Sequence, residues 1–140
     1  IERCNMREHF KAYNEIWSRI RELSYKLEEI ENNIFGIKGI SYGEHIPSTA
    51  PTNFNEKLMY RDELLSQMEE LKAQKKALYD KHIEEISKVN DEREQSILRC
   101  CYLLKMSIED ISTLLNLTGN RIYKLKHEAI RDFKRANNIE

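Results

Sequence analysis

The sequence predicts an all-α protein in which a long antiparallel helical hairpin, or coiled coil, is followed by a three-helix helix-turn-helix domain. Two long segments carry apolar residues at helical spacing, and three shorter amphipathic segments follow them. Three of the four glycines and both prolines fall within residues 36–51, between the long segments. Because Gly and Pro disfavour helix interiors, a loop is expected there. We therefore expect two domains, with the hairpin in residues 1–90 and the helix-turn-helix in residues 91–140.

Composition excludes several classes of protein. Charged residues make up 34% of the chain, the net charge is −1 and the mean hydropathy is −0.71. No run of about 18 apolar residues occurs, so a membrane-spanning helix is not expected. The three cysteines (Cys4, Cys100 and Cys101) lack C-x-x-C spacing, which fits neither a disulfide framework nor a zinc site. A reduced, cytoplasmic setting is the expectation, and Ile1 in place of Met leaves room for residues upstream.

Residue types that serve catalysis or metal binding are scattered along the chain. The four histidines form no H-E-x-x-H motif, and neither a phosphate-binding loop nor a nucleophile elbow occurs. His82 and Glu85 lie one helical turn apart, which we interpret as a polar position within an apolar stripe or as a surface pair. We therefore expect no enzyme activity, no cofactor, no metal and no small-molecule substrate.

The first long helix is expected from about residue 2 to residue 35. Its apolar residues are spaced alternately three and four apart, as in a heptad repeat. They are Tyr13, Ile16, Ile20, Leu23, Leu27, Ile30 and Ile34. About thirty residues of helix would be about 45 Å long. A single helix of this kind cannot bury its apolar stripe alone, so it needs a helical partner.

The second long helix is expected over residues 55–90, after a loop at residues 36–54. Its apolar positions keep a helical spacing, although Lys75 and His82 fall where apolar residues are expected. The two long helices can fold back on each other as an antiparallel hairpin, or each can pair with a second chain. Periodicity does not choose between these arrangements, because both bury the same stripe.

The last fifty residues are expected to form three short helices. In the first, Ile97, Leu98, Cys101, Tyr102 and Leu104 are predicted to point inward, with Cys100 at the edge of the core. The second is predicted to begin after an N-cap at Ser107 and to bury the side chains of Ile108, Ile111, Leu114 and Leu115. Asn116 is a candidate for a left-handed C-cap, and Thr118 for the N-cap of the third helix. The third helix is predicted to bury Ile122, Leu125, Ala129, Ile130 and Phe133.

Positive charge is concentrated on this third helix. From Thr118 to Arg135 there are six basic residues and two acidic ones, in a chain that is otherwise evenly mixed. A short helix, a tight turn and a basic amphipathic helix together are typical of a DNA-binding helix-turn-helix, whose second helix lies in the major groove. The candidate DNA contacts are Thr118, Gly119, Asn120, Arg121, Tyr123, Lys124, Lys126, His127 and Arg131. Arg and Lys donate to guanine edges or phosphates, Asn pairs with adenine, and a helix start binds phosphate.

A family resemblance rests on a pattern in residues 97–133. The pattern comprises Tyr102 and Leu103, then Ser107 with Glu109, Asp110 and Ile111, then the turn Leu115 to Thr118, and then Ile122, Ala129 and Ile130. This pattern resembles the fourth conserved region of bacterial sigma factors, which reads the −35 promoter element. Ser112 stands where the family has Ala, and Asn116 where it has Gly. The resemblance implies that Gly119, Asn120, Tyr123 and Lys124 face the bases, with Gly119 replacing a longer polar residue.

The whole layout is similar to that of small phage-encoded proteins of the sigma-region-4-like class, which are implicated in switching on late genes. The resemblance implies a transcription regulator that binds double-stranded DNA and also contacts RNA polymerase. Acidic residues on the first two short helices (Glu92, Glu94, Glu109 and Asp110) are candidates for that second contact. One helix-turn-helix makes few phosphate contacts, so a homodimer is expected. The alternative is a coiled-coil adaptor that binds another protein and carries a degenerate helix-turn-helix.

Overall fold

The computed structural model describes residues 5–35 and 53–139, and within these ranges it is helical without any strand. The helices are α1 (Met6–His9), α2 (Lys11–Phe35), α3 (Phe54–Ser87), α4 (Glu92–Leu98), α5 (Ile108–Leu115) and α6 (Gly119–Ala136). A π-helical turn, Arg99–Leu103, directly follows α4. The all-α class is therefore confirmed, whereas most of the predicted loop at residues 36–54 lies outside the described residues. Among the described helices, none combines the length and apolar character needed to span a membrane.

The chain divides into two compact units, which we describe separately. The hairpin unit is Asn14–Lys76, and the terminal unit comprises Ile1–Tyr13 with Ala77–Glu140. These units do not coincide with the predicted domains 1–90 and 91–140. That functional division stays a prediction.

In the hairpin unit, the apolar stripe of α2 is buried against α3 of the same chain. Its core contains Leu23, Ile30, Leu64 and Met68, with the flanking residues Ile20, Leu27, Ile34, Tyr60 and Leu71 packed around it. The helices run antiparallel, because Arg61 Nε contacts Glu31 Oε2 at 2.9 Å while Lys75 Nζ lies 4.7 Å from the centre of the Trp17 ring. The second contact also explains the lysine at an apolar position, since its cation covers an aromatic face. The hairpin is thus formed within one chain.

The first predicted helix is interrupted at Phe10. Asn5 caps α1 through a hydrogen bond from the backbone N–H of Glu8, and Phe10 leaves helical geometry with φ −98° and ψ 13°. Phe10 is fully buried in the terminal unit, where its ring stacks on Tyr102 with a centroid distance of 5.0 Å. The heptad spacing begins only at Tyr13, so it gave no information about the helix at this position.

The core of the terminal unit surrounds the inward face of α6. Its fully buried side chains include Phe10, Ile97, Leu98, Leu103, Ile111, Ile122 and Phe133. Tyr13 is also buried, and its hydroxyl donates a hydrogen bond of 2.9 Å to the backbone carbonyl of Leu103. This bond fixes the end of the π-helical turn to the start of α2.

The π-helical turn reverses the predicted roles of the two adjacent cysteines. Cys100 is buried and Cys101 is half-buried, whereas Cys101 was predicted in the core and Cys100 at its edge. Leu104, which was also predicted to point inward, is 48% exposed. A π-helical turn accommodates one more residue than an α-turn, so the side chains after it move round the helix by about one position. Burial raises the pKa of both thiols. Both cysteines are therefore poor nucleophiles, in line with a packing role.

Candidate nucleic-acid interface

Helix α5 and the turn after it are fixed by local hydrogen bonds. Ser107 caps α5, because its hydroxyl accepts a bond of 3.1 Å from the backbone N–H of Asp110. Asn116 ends the helix in the left-handed conformation, with φ 55° and ψ 48°. Both caps agree with the sequence analysis. The hydroxyl of Ser112 donates to the backbone carbonyl of Leu117 and closes the turn. Ser112, which stands where the sigma-factor pattern has Ala, therefore stabilises the turn through its hydroxyl.

Helix α6 begins at the predicted cap and buries one face. The Thr118 hydroxyl accepts a hydrogen bond of 3.3 Å from the backbone N–H of Arg121. Ile122, Ala129 and Phe133 are completely buried on the inward face. Leu125 and Ile130, which were also predicted to point inward, are half-buried. The inward face is fixed in the core, so the opposite face of α6 is directed to solvent.

The candidate DNA contacts lie on or beside this solvent-directed face. Seven of them are exposed, namely Thr118, Asn120, Arg121, Tyr123, Lys124, His127 and Arg131. The other two, Gly119 and Lys126, are half-buried. Space is nevertheless open at Gly119, because a Cβ atom added there would have no neighbour within 4 Å. Gly119 is therefore not required by packing.

Charge is distributed unevenly along α6. In the described part of the chain, neither Arg121 nor Lys124 forms an ion pair. In the second half of α6, Asp132 lies 3.9 Å from both Arg131 and Arg135. Lys126 differs again, since its amine is 5.6 Å from the centre of the Tyr102 ring. Among the described residues, Arg121 and Lys124 thus place exposed charge without an ion pair near the start of the helix, where the free backbone N–H groups also favour anions.

Two residues next to this surface depart from the sequence analysis. Leu114 was predicted to point inward but is 60% exposed on α5. Glu94 was a candidate for contact with polymerase, but it is buried with 5% exposure and cannot meet a partner there. Its fellow candidates Glu92, Glu109 and Asp110 are exposed. Position 94 falls on the inward face of α4, three residues before Ile97, and helical spacing could have revealed this.

Glu94 is an unusual acid because it faces another carboxylate. Burial raises its pKa to about 7, and a hydrogen bond with Asp132 and the negative charges of Asp132, Asp91 and Glu128 act in the same direction. One carboxyl oxygen, Oε1, is buried without a hydrogen-bond partner in the described residues. The protonated carboxyl of Glu94 can donate to Asp132, which joins α4 to α6 behind the solvent-directed face.

Comparison with known proteins places the chain in one family. Residues 54–134, which are more than half of the sequence, match the family described as "Protein of unknown function (DUF1492)". The chain therefore belongs to the DUF1492 family. No curated protein and no solved structure matches it.

Proposed function

We propose that this member of the DUF1492 family is a sequence-specific DNA-binding transcription regulator that reads the major groove through residues 118–135. The observation that carries the proposal is the exposed positive charge of Arg121 and Lys124, which form no ion pair with any described residue, on the first turns of a capped helix. Protein–DNA affinity depends largely on neutralising phosphates with Lys and Arg. A short helix, a tight turn and a basic helix are a common way of bringing such a face into the groove.

Each residue at the start of α6 has a task that suits its chemistry. Asn120 can pair in a bidentate manner with adenine, and Arg121 or Lys124 can donate to guanine or to a phosphate. Tyr123 is 59% exposed and offers an apolar surface together with a hydroxyl. The open space at Gly119 allows the backbone to approach the DNA closely. Lys126, His127 and Arg131 lie further along the helix and are assigned to phosphate contacts.

The resemblance to region 4 of sigma factors supports a role at promoters. Its Ser, acidic pair and turn correspond here to Ser107, Glu109 with Asp110, and Leu115 to Thr118, and in this chain Ser107 and Asn116 cap α5. We infer contact with RNA polymerase through exposed acids of α4 and α5, with Glu92 and Glu109 as the main candidates. The proposed setting is the cytoplasm of a bacterial host cell, where the protein switches on phage or mobile-element genes.

A homodimer is part of the proposal. The apolar stripe of α2 is covered by α3, so a second chain must use another surface. The hairpin unit exposes Tyr25, Phe35, Phe54 and Met59, each more than half accessible. These side chains provide apolar surface for a second copy. Two copies could then bind half-sites about 34–36 Å apart.

The test is selection of bound duplexes from a random DNA pool at about 100 mM salt, where non-specific binding is already weakened. Wild type is compared with the double variant Arg121→Ala, Lys124→Ala. The matched control is Arg21→Ala with Lys72→Ala, which removes the same charges from exposed positions of the hairpin unit. We expect the wild type and the control to enrich one repeated sequence, and the double variant to enrich none.

Salt dependence then separates the proposal from the adaptor alternative. DNA binding should weaken steeply between about 50 and 200 mM salt, and its log–log slope should fall by about 2 in the double variant if both residues contact phosphates. A random pool that yields no enriched sequence for the wild type would contradict the proposal. Salt-insensitive binding to a protein partner that survives the double substitution would instead favour the adaptor.

A further inference from the structure

The terminal unit contains a cluster of metal-ligating side chains that belongs to no part of the DNA-binding surface. His9 at the end of α1 and His82 in α3 converge on the same carboxylate oxygen, Glu85 Oε1. His9 Nε2 lies 2.8 Å from this oxygen, and His82 Nδ1 lies 2.7 Å from it. All three ligand atoms lie within 4.8 Å of one another. His82 and Glu85 share one helix face, whereas His9 arrives from the other end of the chain.

The surroundings resemble those of a protein metal site more than those of a surface ion pair. His82 is 2% exposed, and its ring contacts Phe10 and Tyr13. His9 packs edge-on against Phe133, which is itself fully buried. The side chains of His9 and Glu85 keep 18% and 16% exposure, so the cluster has a narrow opening to solvent. An apolar shell of this kind lowers the local dielectric and strengthens metal–ligand interactions.

We propose that His9, His82 and Glu85 bind one divalent transition-metal ion, with Zn²⁺ as the favoured ion. Two imidazole nitrogens and a carboxylate oxygen are a known zinc ligand set, to which water adds the fourth ligand. Bonds of about 2.0–2.1 Å in a tetrahedron would place neighbouring ligand atoms about 3.3 Å apart. The nitrogen–oxygen pairs now at 2.8 and 2.7 Å would therefore open by about half an ångström on binding, and the two imidazole nitrogens, which lie within 4.8 Å of each other, would take the same spacing of about 3.3 Å. Such a movement is within the range of side-chain adjustment.

The location gives the ion a structural task. Asn137, just after α6, donates a hydrogen bond of 3.0 Å to the backbone carbonyl of Glu85. The ion would join α1 to α3 at the point where α3 also contacts the end of α6. It would stabilise the terminal unit without touching the solvent-directed face of α6. His9 is far from His82 and Glu85 in the sequence, so only the fold brings it to them.

The experiment uses the full untagged chain, treated with a chelator and then titrated with Zn²⁺ by calorimetry and with Co²⁺ by visible absorption. Glu85→Gln removes the anionic ligand but keeps an oxygen that accepts hydrogen bonds. His9→Gln retains an N–H donor near the original Nε2 position. The matched control is Glu84→Gln, since Glu84 is an exposed carboxylate on the same helix.

We expect the wild type and Glu84→Gln to bind one ion per chain, with Co²⁺ bands typical of a four-coordinate site. Affinity should fall more than about tenfold in Glu85→Gln and in His9→Gln, because even partners outside the ligand set change affinity about 10–100-fold. Zinc should raise the Tm of the wild type and of the control only. The proposal would be overturned if the wild type bound Zn²⁺ and Co²⁺ no more tightly than Glu85→Gln does. The cluster would then be a hydrogen-bonded junction. The DNA selection experiment tests the solvent-directed face of α6 and not the metal cluster. The metal proposal and the DNA-binding proposal can therefore fail independently.

Discussion

Replacing Glu94 with Gln should make the terminal unit less sensitive to pH between about 5 and 8. Glu94 lies between α4 and α6 with 5% exposure, and burial together with Asp132 raises its pKa to about 7 from an ordinary 4.5. A group with a raised folded-state pKa holds its proton more tightly in the folded state. Its contribution to stability is therefore complete below about pH 4.5 and is lost as the pH rises through about 7. The Glu94→Gln variant stays neutral throughout this range and should keep its stability.

The magnitude follows from the difference between the two pKa values. A shift of about 2.5 units corresponds to about 3 kcal/mol, since one unit is about 1.4 kcal/mol. Asp132 is one-third exposed and lies 3.9 Å from both Arg131 and Arg135, so water and these cations reduce its effect on Glu94. We therefore expect the stability of the wild type to fall by about 1–3 kcal/mol relative to the Glu94→Gln variant between pH 5 and pH 8.

Hydrogen exchange measured by mass spectrometry on peptides from α4 and α6 provides the assay. Comparing both proteins at the same pH cancels the intrinsic pH dependence of exchange. It also cancels the contribution of His82, whose burial lowers its pKa and so gives a pH dependence of the opposite sign. The ratio of protection factors should change by about 5- to 150-fold between pH 5 and pH 8. If the ratio of protection factors stayed constant between pH 5 and pH 8, Glu94 and Asp132 would not share a proton in the folded protein.

Substitutions at three further positions test the local structure of the terminal unit. Tyr13→Phe removes the hydrogen bond to the backbone carbonyl of Leu103. Urea denaturation should show that the free energy of unfolding falls by about 1–2 kcal/mol. An unchanged denaturation midpoint would mean that water replaces the hydroxyl. Asn116→Ala forces Ala into the left-handed conformation and should lower the free energy of unfolding by about 1 kcal/mol, whereas Asn116→Gly should not lower it. If the two variants lost equal stability, backbone strain would not be the cause of the loss. Gly119→Ala should raise the Tm slightly, because an added Cβ atom has open space at this position. The same substitution should weaken DNA binding measured by fluorescence anisotropy. An unchanged affinity would mean that the backbone at Gly119 does not approach the DNA closely.

The helices could be predicted because each has a local cause in the sequence. The alternating spacing of three and four predicted α2, and the caps Ser107 and Thr118 predicted the starts of α5 and α6. Lys75 falls at an apolar position of the second long helix, and only the structure explains it, because the amine of Lys75 lies over the ring of Trp17. The break at Phe10 has no local signal, because tertiary packing draws the ring into the terminal core. The π-helical turn was likewise not predicted, and the burial of the two cysteines within it differs from the prediction.

The candidate interface was easier to predict than the metal cluster for a physical reason. Eight of the nine proposed DNA contacts lie on α6 and the ninth, Thr118, caps it, so the helical repeat alone places them beside one another. His9 and Glu85 are 76 residues apart, and only the folded terminal unit joins them. Leu114 shows the limit of periodicity even within a helix, since α5 is too short for the pattern to define its buried face accurately.

The two proposals use different surfaces of the terminal unit. The solvent-directed face carries the unpaired charges of Arg121 and Lys124, whereas the buried face carries Phe133, which contacts the ring of His9. A ligand that binds only the folded terminal unit stabilises it without changing the outer face. Zinc should therefore leave the sequence preference and the salt slope of DNA binding unchanged, while raising the temperature at which binding is lost. A change of sequence preference with zinc would mean that the ion moves α6, and the two faces would then be coupled.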